Sequence, residues 1–238
     1  MSFDTGNRFA ARTAIPQVGI DQGLRSYMLR VYNYMAGALA ITGIVAWFSQ
    51  GLVLQLAQQH SPLMYLLIFA PLGFVLVLSF GIQRMSLGAA QATFWGYAAV
   101  MGLSMSTIFL VYTYTSIAQM FFITAVTFLA MSLWGYTTKR DLAGMGHFLF
   151  MGLIGIVIAS VVNIFLRSPG LQFAVSVIGV LVFTGLTAWD TQRIKEMYWD
   201  GDSAVIAGKK AIMGALALYL DFVNLFMFLL QLFGQRRD

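Results

Sequence analysis

ALALYLDFVNLFMFLLQLF, residues 215–233, runs for nineteen residues with a single charged side chain, Asp221. About 20 apolar helical residues cross a hydrocarbon core about 30 Å thick, so this stretch reads as a membrane-spanning helix. A charged Asp at the centre of such a helix costs about 2.5–3.5 kcal/mol on insertion scales. The carboxylate is therefore expected to be protonated, paired, or placed against a water-filled cavity. Asn224 follows three residues on and Gln231 seven beyond that, which puts all three near one helical face. That narrow polar stripe should turn inward.

Stretches of the same kind recur near 31–52, 62–83, 88–111, 116–137, 147–166 and 170–191, with the last placed at 211–233. Of the 238 residues, 59% are hydrophobic and 10% charged, and the mean hydropathy is +0.79. An average soluble domain carries about 25% charged residues, so a water-soluble surface is excluded. The expected fold is all-α, a polytopic membrane protein with seven transmembrane helices occupying 31–238. Residues 1–30 contain four Arg and two Asp without the continuous apolar core of a cleavable signal peptide. They read as a cytoplasmic tail, with an interfacial helix near LRSYMLR (24–30). The connection 192–210 is the one long enough to hold further structure.

Eleven of the Lys and Arg residues fall in the tail and the even-numbered loops, and three on the opposite side, Arg167, Arg236 and Arg237. Because cytoplasmic connections retain positive charge, the N-terminus is expected inside and the C-terminus outside. The same topology accounts for the net charge of +5 and the pI of about 9.6 without nucleic acid. Trp47, Trp95, Trp134 and Trp189 are expected as interface anchors. Small residues such as Ala36, Ala40, Gly43, Gly102, Ser106, Gly152, Gly155 and Ala159 predict close helix packing. Pro71 predicts a kink in the second span. No long internal repeat supports an inverted-repeat transporter.

Enzyme chemistry finds little to work with. Cysteine is absent and there are two histidines, His60 and His147, neither deep in a span. Residues 102–106, GLSMS, do not match a Gly-x-Ser-x-Gly elbow, and no His-Glu-x-x-His motif exists. No predicted span holds the lysine that a retinal Schiff base requires.

Of nine acidic residues, Asp190 and Asp221 alone lie in or against spans. Asp190 occurs in GLTAWDTQRIKEMY (185–198), among Thr187, Thr191, Gln192 and Arg193. Arg193, one helical turn away, offers a local ion pair. The sixth and seventh spans are antiparallel in sequence and could bring both carboxylates into one pocket facing the cytoplasm. Such a pair titrates as a unit and also forms a hard oxygen site suited to Ca²⁺. A seventh helix starting at 211 would set Asp221 about 15 Å along it, deeper than Asp190, so pairing requires the helices to extend, tilt or unwind.

Three segments carry a resemblance: MSLWGYTTKRDLAGMGHFLFMGLIGIVIASVVNIF (131–165), IGVLVFTGLTAWDTQRIKEM (178–197) and GALALYLDFVNLFMFLLQLFG (214–234). The chain resembles the Bax inhibitor family, the transmembrane Bax inhibitor motif proteins, and most closely its bacterial inner-membrane branch. The resemblance implies a seven-helix bundle with the last helix central. It also implies a pH-sensitive Ca²⁺ leak whose sensor maps to Asp190 and Asp221. Arg84 is the nearest counterpart of a basic latch found in relatives near the end of the second span. Residues 62–83 contain none of the acidic residues that some relatives carry there.

The leading expectation is thus a cation channel, with Ca²⁺ and protons as its ions and the lipid bilayer as its surroundings. Asp190 and Asp221 would be its pH sensor, ion pathway and possible Ca²⁺ ligands, with Arg84, Arg193 and Asn224 as latch or pathway residues. Two alternatives are a non-conducting regulator that contacts membrane proteases or other membrane proteins, and an H⁺-coupled cation exchanger.

Overall fold

A computed structural model describes residues 17–59 and 61–237, with side chains from residue 22. Most of the 1–30 tail and His60 lie outside the described residues. The helices are α1 (Gln17–Phe48), α2 (Gln50–Gln58), α3 (Leu63–Gly81), α4 (Leu87–Met105), α5 (Ile108–Val111), α6 (Tyr114–Thr137), α7 (Ala143–Leu166), α8 (Pro169–Glu196) and α9 (Ala204–Phe233). Seven segments are long and apolar enough to cross a membrane, α4 and α5 counting as one. The chain is an all-α polytopic membrane protein.

Helix starts follow local chemistry. Ser86, Thr113, Ser168 and Ser203 each accept a hydrogen bond from the backbone N–H three residues on, satisfying a donor that the helix leaves free. Pro169 occupies the first turn of α8, where its missing N–H costs nothing. α3 continues through the buried Pro71 as one helix. The interfacial helix expected at 24–30 is the continuous first part of α1.

α9 is the centre of the bundle. It packs against α8, α1, α6 and α4, and 67% of its most apolar window is buried, against 11% in α3 and in α7. Without a hydrophobic driving force between helices in lipid, such packing relies on close approach and interhelical hydrogen bonds. Gly135 of α6 lies directly on the Ala188 carbonyl of α8, and Gly102 of α4 on the Thr42 carbonyl of α1, leaving no room for a Cβ at either position. Several small residues expected at packing faces are elsewhere. Ala36, Ala40, Gly43 and Gly155 are exposed on the outside of the bundle, and a Cβ on Gly43 or Gly155 would meet nothing. A small side chain facing lipid is tolerated as readily as one facing a helix, so the pattern alone does not select an interface.

The end of α9 is strapped down. The Thr113 N–H donates to the Gln235 carbonyl (3.1 Å), the Arg237 N–H to the Val111 carbonyl (2.9 Å), and the Gln235 N–H to Ser116 Oγ (2.9 Å). The Arg237 guanidinium also covers the Tyr114 ring at 4.3 Å.

Candidate functional site

α8 and α9 form an antiparallel pair whose register follows from their close contacts: Gly214 packs on Ile194, and Gly179 on Phe228. α8 runs to Glu196 and α9 begins at Ala204, so the connection is only Met197–Ser203. The Gly214–Ile194 pairing shows that α9 overhangs α8 by about eight residues, or about 12 Å. That overhang removes the depth mismatch expected from a helix starting at 211. Counting on from the same pairing, Asp221 comes level with Thr187, about one turn from Asp190. Side chains lean toward the N-terminus of their own helix, so in an antiparallel pair these two lean toward each other.

The two carboxyl groups accordingly lie close enough to interact directly. An ionised carboxylate has no donor, so a hydrogen bond between the two requires one of them to carry a proton. Asp190 is 9% exposed and Asp221 4%. Asp221 Oδ2 is buried without a hydrogen-bond partner among the described residues.

The nearest cation is Arg193, its Nη1 3.8 Å from Asp190 Oδ1. This is longer than a charge-assisted hydrogen bond, and the arginine side chain is 60% exposed while lying over the Trp189 ring. Arg84 is exposed in the turn after α3 and forms no ion pair among the described residues. Its neighbour Gln83 accepts a hydrogen bond from Lys209 Nζ (3.2 Å). Lys209 lies twelve residues, about 18 Å, from Asp221 along α9. The structure therefore does not bring Arg84 to the pair.

Other polar residues near the pair in sequence are engaged elsewhere. Thr187 and Thr191 donate to the carbonyls of Phe183 (2.8 Å) and Thr187 (2.7 Å). Gln192 fastens the α6–α7 connection, accepting from the Leu142 N–H and donating to the Arg140 carbonyl, both at 2.8 Å. Asn224 is half-buried and donates to the Leu220 carbonyl of its own helix (2.8 Å). Gln231 ends the polar stripe at the far end of α8, where its Oε1 accepts from Gln172 Nε2 (2.7 Å).

A second group was not visible in the sequence. Tyr32 of α1 and Thr191 of α8 both hydrogen-bond Ser132 of α6, at 2.5 and 2.9 Å. Single hydroxyls on three helices leave no periodic signal. On the opposite face of α9, Tyr219 bonds Thr42 (2.7 Å), which donates to the Ala98 carbonyl.

Among the described residues no group of three or more His, Asp or Glu gathers into a metal-binding cluster. Ca²⁺ takes six to eight oxygen ligands, so two carboxyl groups suit a transient cation better than a resident one. Beyond the pair, α1, α4, α5, α6 and α9 border a pocket of about 100 Å³, lined by Thr42 and by Met105, Phe121, Phe222, Phe226 and other apolar side chains.

The profile of the family described as "Inhibitor of apoptosis-promoting Bax1" matches residues 24–238. An uncharacterized protein of Rickettsia prowazekii is 51% identical over 220 residues, 92% of this chain and 93% of that one. The inner membrane protein YbhL of Escherichia coli is 50% identical over 219 residues, 90% and 94% of the two chains. An uncharacterized membrane protein of Streptococcus pyogenes is 37% identical over 223 residues, 90% and 95% of the two. The chain belongs to the Bax inhibitor family.

Proposed function

We propose that this member of the Bax inhibitor family is a pH-gated cation leak of the inner membrane, with Ca²⁺ among the ions it passes. It lies with its N-terminus cytoplasmic and its C-terminus outside, and it acts as a conduit and not as an enzyme. The observation that carries this reading is the buried proximity of Asp190 and Asp221 across the α8–α9 interface, with one Asp221 oxygen left unpartnered. A purely structural polar group in a membrane is expected to have its partners, so an ionisable pair short of them is a functional candidate.

Ionisation of both groups places two negative charges side by side between the two most buried spans of the bundle. Repulsion then favours separation of α8 from α9, or entry of a cation between them. The apolar pocket on the far side of Asp221 resists hydration and keeps the path closed while the pair is intact. Arg193 is the cation placed to offset charge on Asp190.

The test is Ca²⁺ flux into proteoliposomes from acidic to mildly alkaline pH, with Asp190→Asn and Asp221→Asn beside the parent protein. The proposal expects a pH-dependent flux that each substitution flattens. Unchanged pH dependence in both variants would overturn it, and saturable flux driven by an imposed proton gradient would identify an exchanger instead.

A further inference from the structure

A groove of about 560 Å³ runs along the outside of the bundle where α1 meets α4, lined by Gln22, Arg25, Ser26, Leu29, Arg30, Asn33, Tyr34 and Trp95. We propose that it binds the phosphate headgroup of an anionic phospholipid from the surrounding bilayer. This site is separate from the aspartate pair and does not depend on conduction.

The register of α1 on α4 creates the groove. Gln91 Nε2 donates to Tyr34 Oη (2.6 Å), Thr42 donates to the Ala98 carbonyl, and Trp95 lies on Gly37. Each contact pairs an α1 residue with one 56 to 58 positions later, so Arg30 comes level with Leu87, the first residue of α4. α1 residues 22–29 thus overhang the start of α4, and among the described residues no helix other than α1 and α4 lines the groove.

The lining has the chemistry of an anion site. Two guanidinium groups, two side-chain amides and two hydroxyls can donate, and among the described residues no carboxylate contributes to the wall. The Tyr34 hydroxyl accepts from Gln91, which leaves its own proton free to donate. Guanidinium matches the geometry of phosphate better than ammonium does. Asp21, one turn before Arg25 in the sequence, lies outside the side chains described.

Two features select a lipid over a soluble anion. The floor is apolar, formed by Leu29, which is 52% exposed, and by the Tyr34 and Trp95 rings 5.6 Å apart. The level is also right. The segment Gln22–Phe48 has 27 residues, about 40 Å of helix, so it exceeds the hydrocarbon core by about 10 Å. Arg25 then stands in the headgroup layer, and Arg30 reaches it by extending along the helix.

Native mass spectrometry of the full chain in detergent, titrated with phosphatidylglycerol or phosphatidylethanolamine, tests the site. Each arginine near an anionic surface contributes enough for about a fivefold gain in affinity. The parent should therefore retain one phosphatidylglycerol about thirtyfold more tightly than phosphatidylethanolamine at low salt. Arg25→Gln with Arg30→Gln should abolish that preference, whereas Arg84→Gln should preserve it. In vesicles, brominated phosphatidylglycerol should quench the parent more than the Trp95→Phe variant, and excess inorganic phosphate should not reverse this. No preference in the parent, a preference that survives the double substitution, or an equal loss with Arg84→Gln would each overturn the proposal.

Discussion

The two ends of the α8–α9 interface treat their polar groups differently. At one end Gln172, Ser176 and Gln231, with Asn163 of α7, form a neutral network: Asn163 Nδ2 donates to Gln172 Oε1, and both Gln172 Nε2 and Ser176 Oγ donate to Gln231 Oε1. At the other end two buried carboxyl groups, Asp190 and Asp221, have a distant arginine and little else. Both ends join the same two helices. Amides join them without charge, so the carboxyl groups at the second end are titratable chemistry that adhesion does not require.

The sharpest way to break this contrast is to exchange the chemistry of the ends. Asp190→Asn with Asp221→Asn converts the acid pair into an amide pair like the one at the far end. It should keep the bundle folded by size-exclusion chromatography and remove the whole pH response of liposome flux. A folded double variant that still responds to pH would show that the ends do not differ in kind.

The next largest effect concerns the packing that holds the pair together. Gly135→Leu forces a side chain against the Ala188 backbone beside Asp190 and should destabilise the protein by about 1–3 kcal/mol in a thermal or denaturant melt. Gly155→Leu faces open space and should be close to neutral. Equal losses would mean that the α6–α8 contact is not what fixes α8.

Gln231→Leu removes the acceptor for Gln172 and Ser176 and should cost about 0.6–1 kcal/mol, the usual scale of hydrogen bonds between membrane helices. It should leave the pH profile of flux unchanged. Smallest of all, Arg193→Gln should displace the midpoint of that profile by less than about one pH unit, because the guanidinium is mostly exposed. Arg84→Gln should not displace it.

Much of this architecture is legible in hydropathy, because a bilayer imposes one length and one polarity on every span. Helix ends are less legible. The first turns of α9 contain Lys209 and Lys210, which hydropathy reads as loop, yet Ser203 caps the helix and both ammonium groups bond to neighbouring connections. That hidden overhang is what allows Asp190 and Asp221 to meet. Asp221 stands out in the sequence as an isolated charge, but its partner comes from the family resemblance, since periodicity within one helix carries no information about another. Gly135, packed on Ala188, and Gly146, packed on the Trp189 ring, do not stand out in the sequence, because a glycine at an interface and a glycine facing lipid look alike there.

The strap that ties residues 235 and 237 to the α5–α6 junction gives the central helix one fixed end. Near its other end it is held by side chains, Lys209 and Lys210 on the neighbouring connections and Gly208 packed on Leu87, which adjust more readily than a backbone pairing. α9 is then a rod pivoted near Phe233, with Asp221 about 18 Å and Ala204 about 44 Å from the pivot. A small rocking of the rod moves the carboxyl group about half as far as Lys209, so a displacement of the α3–α4 turn or of the α8–α9 connection reaches the acid pair scaled down and without sliding of the helix.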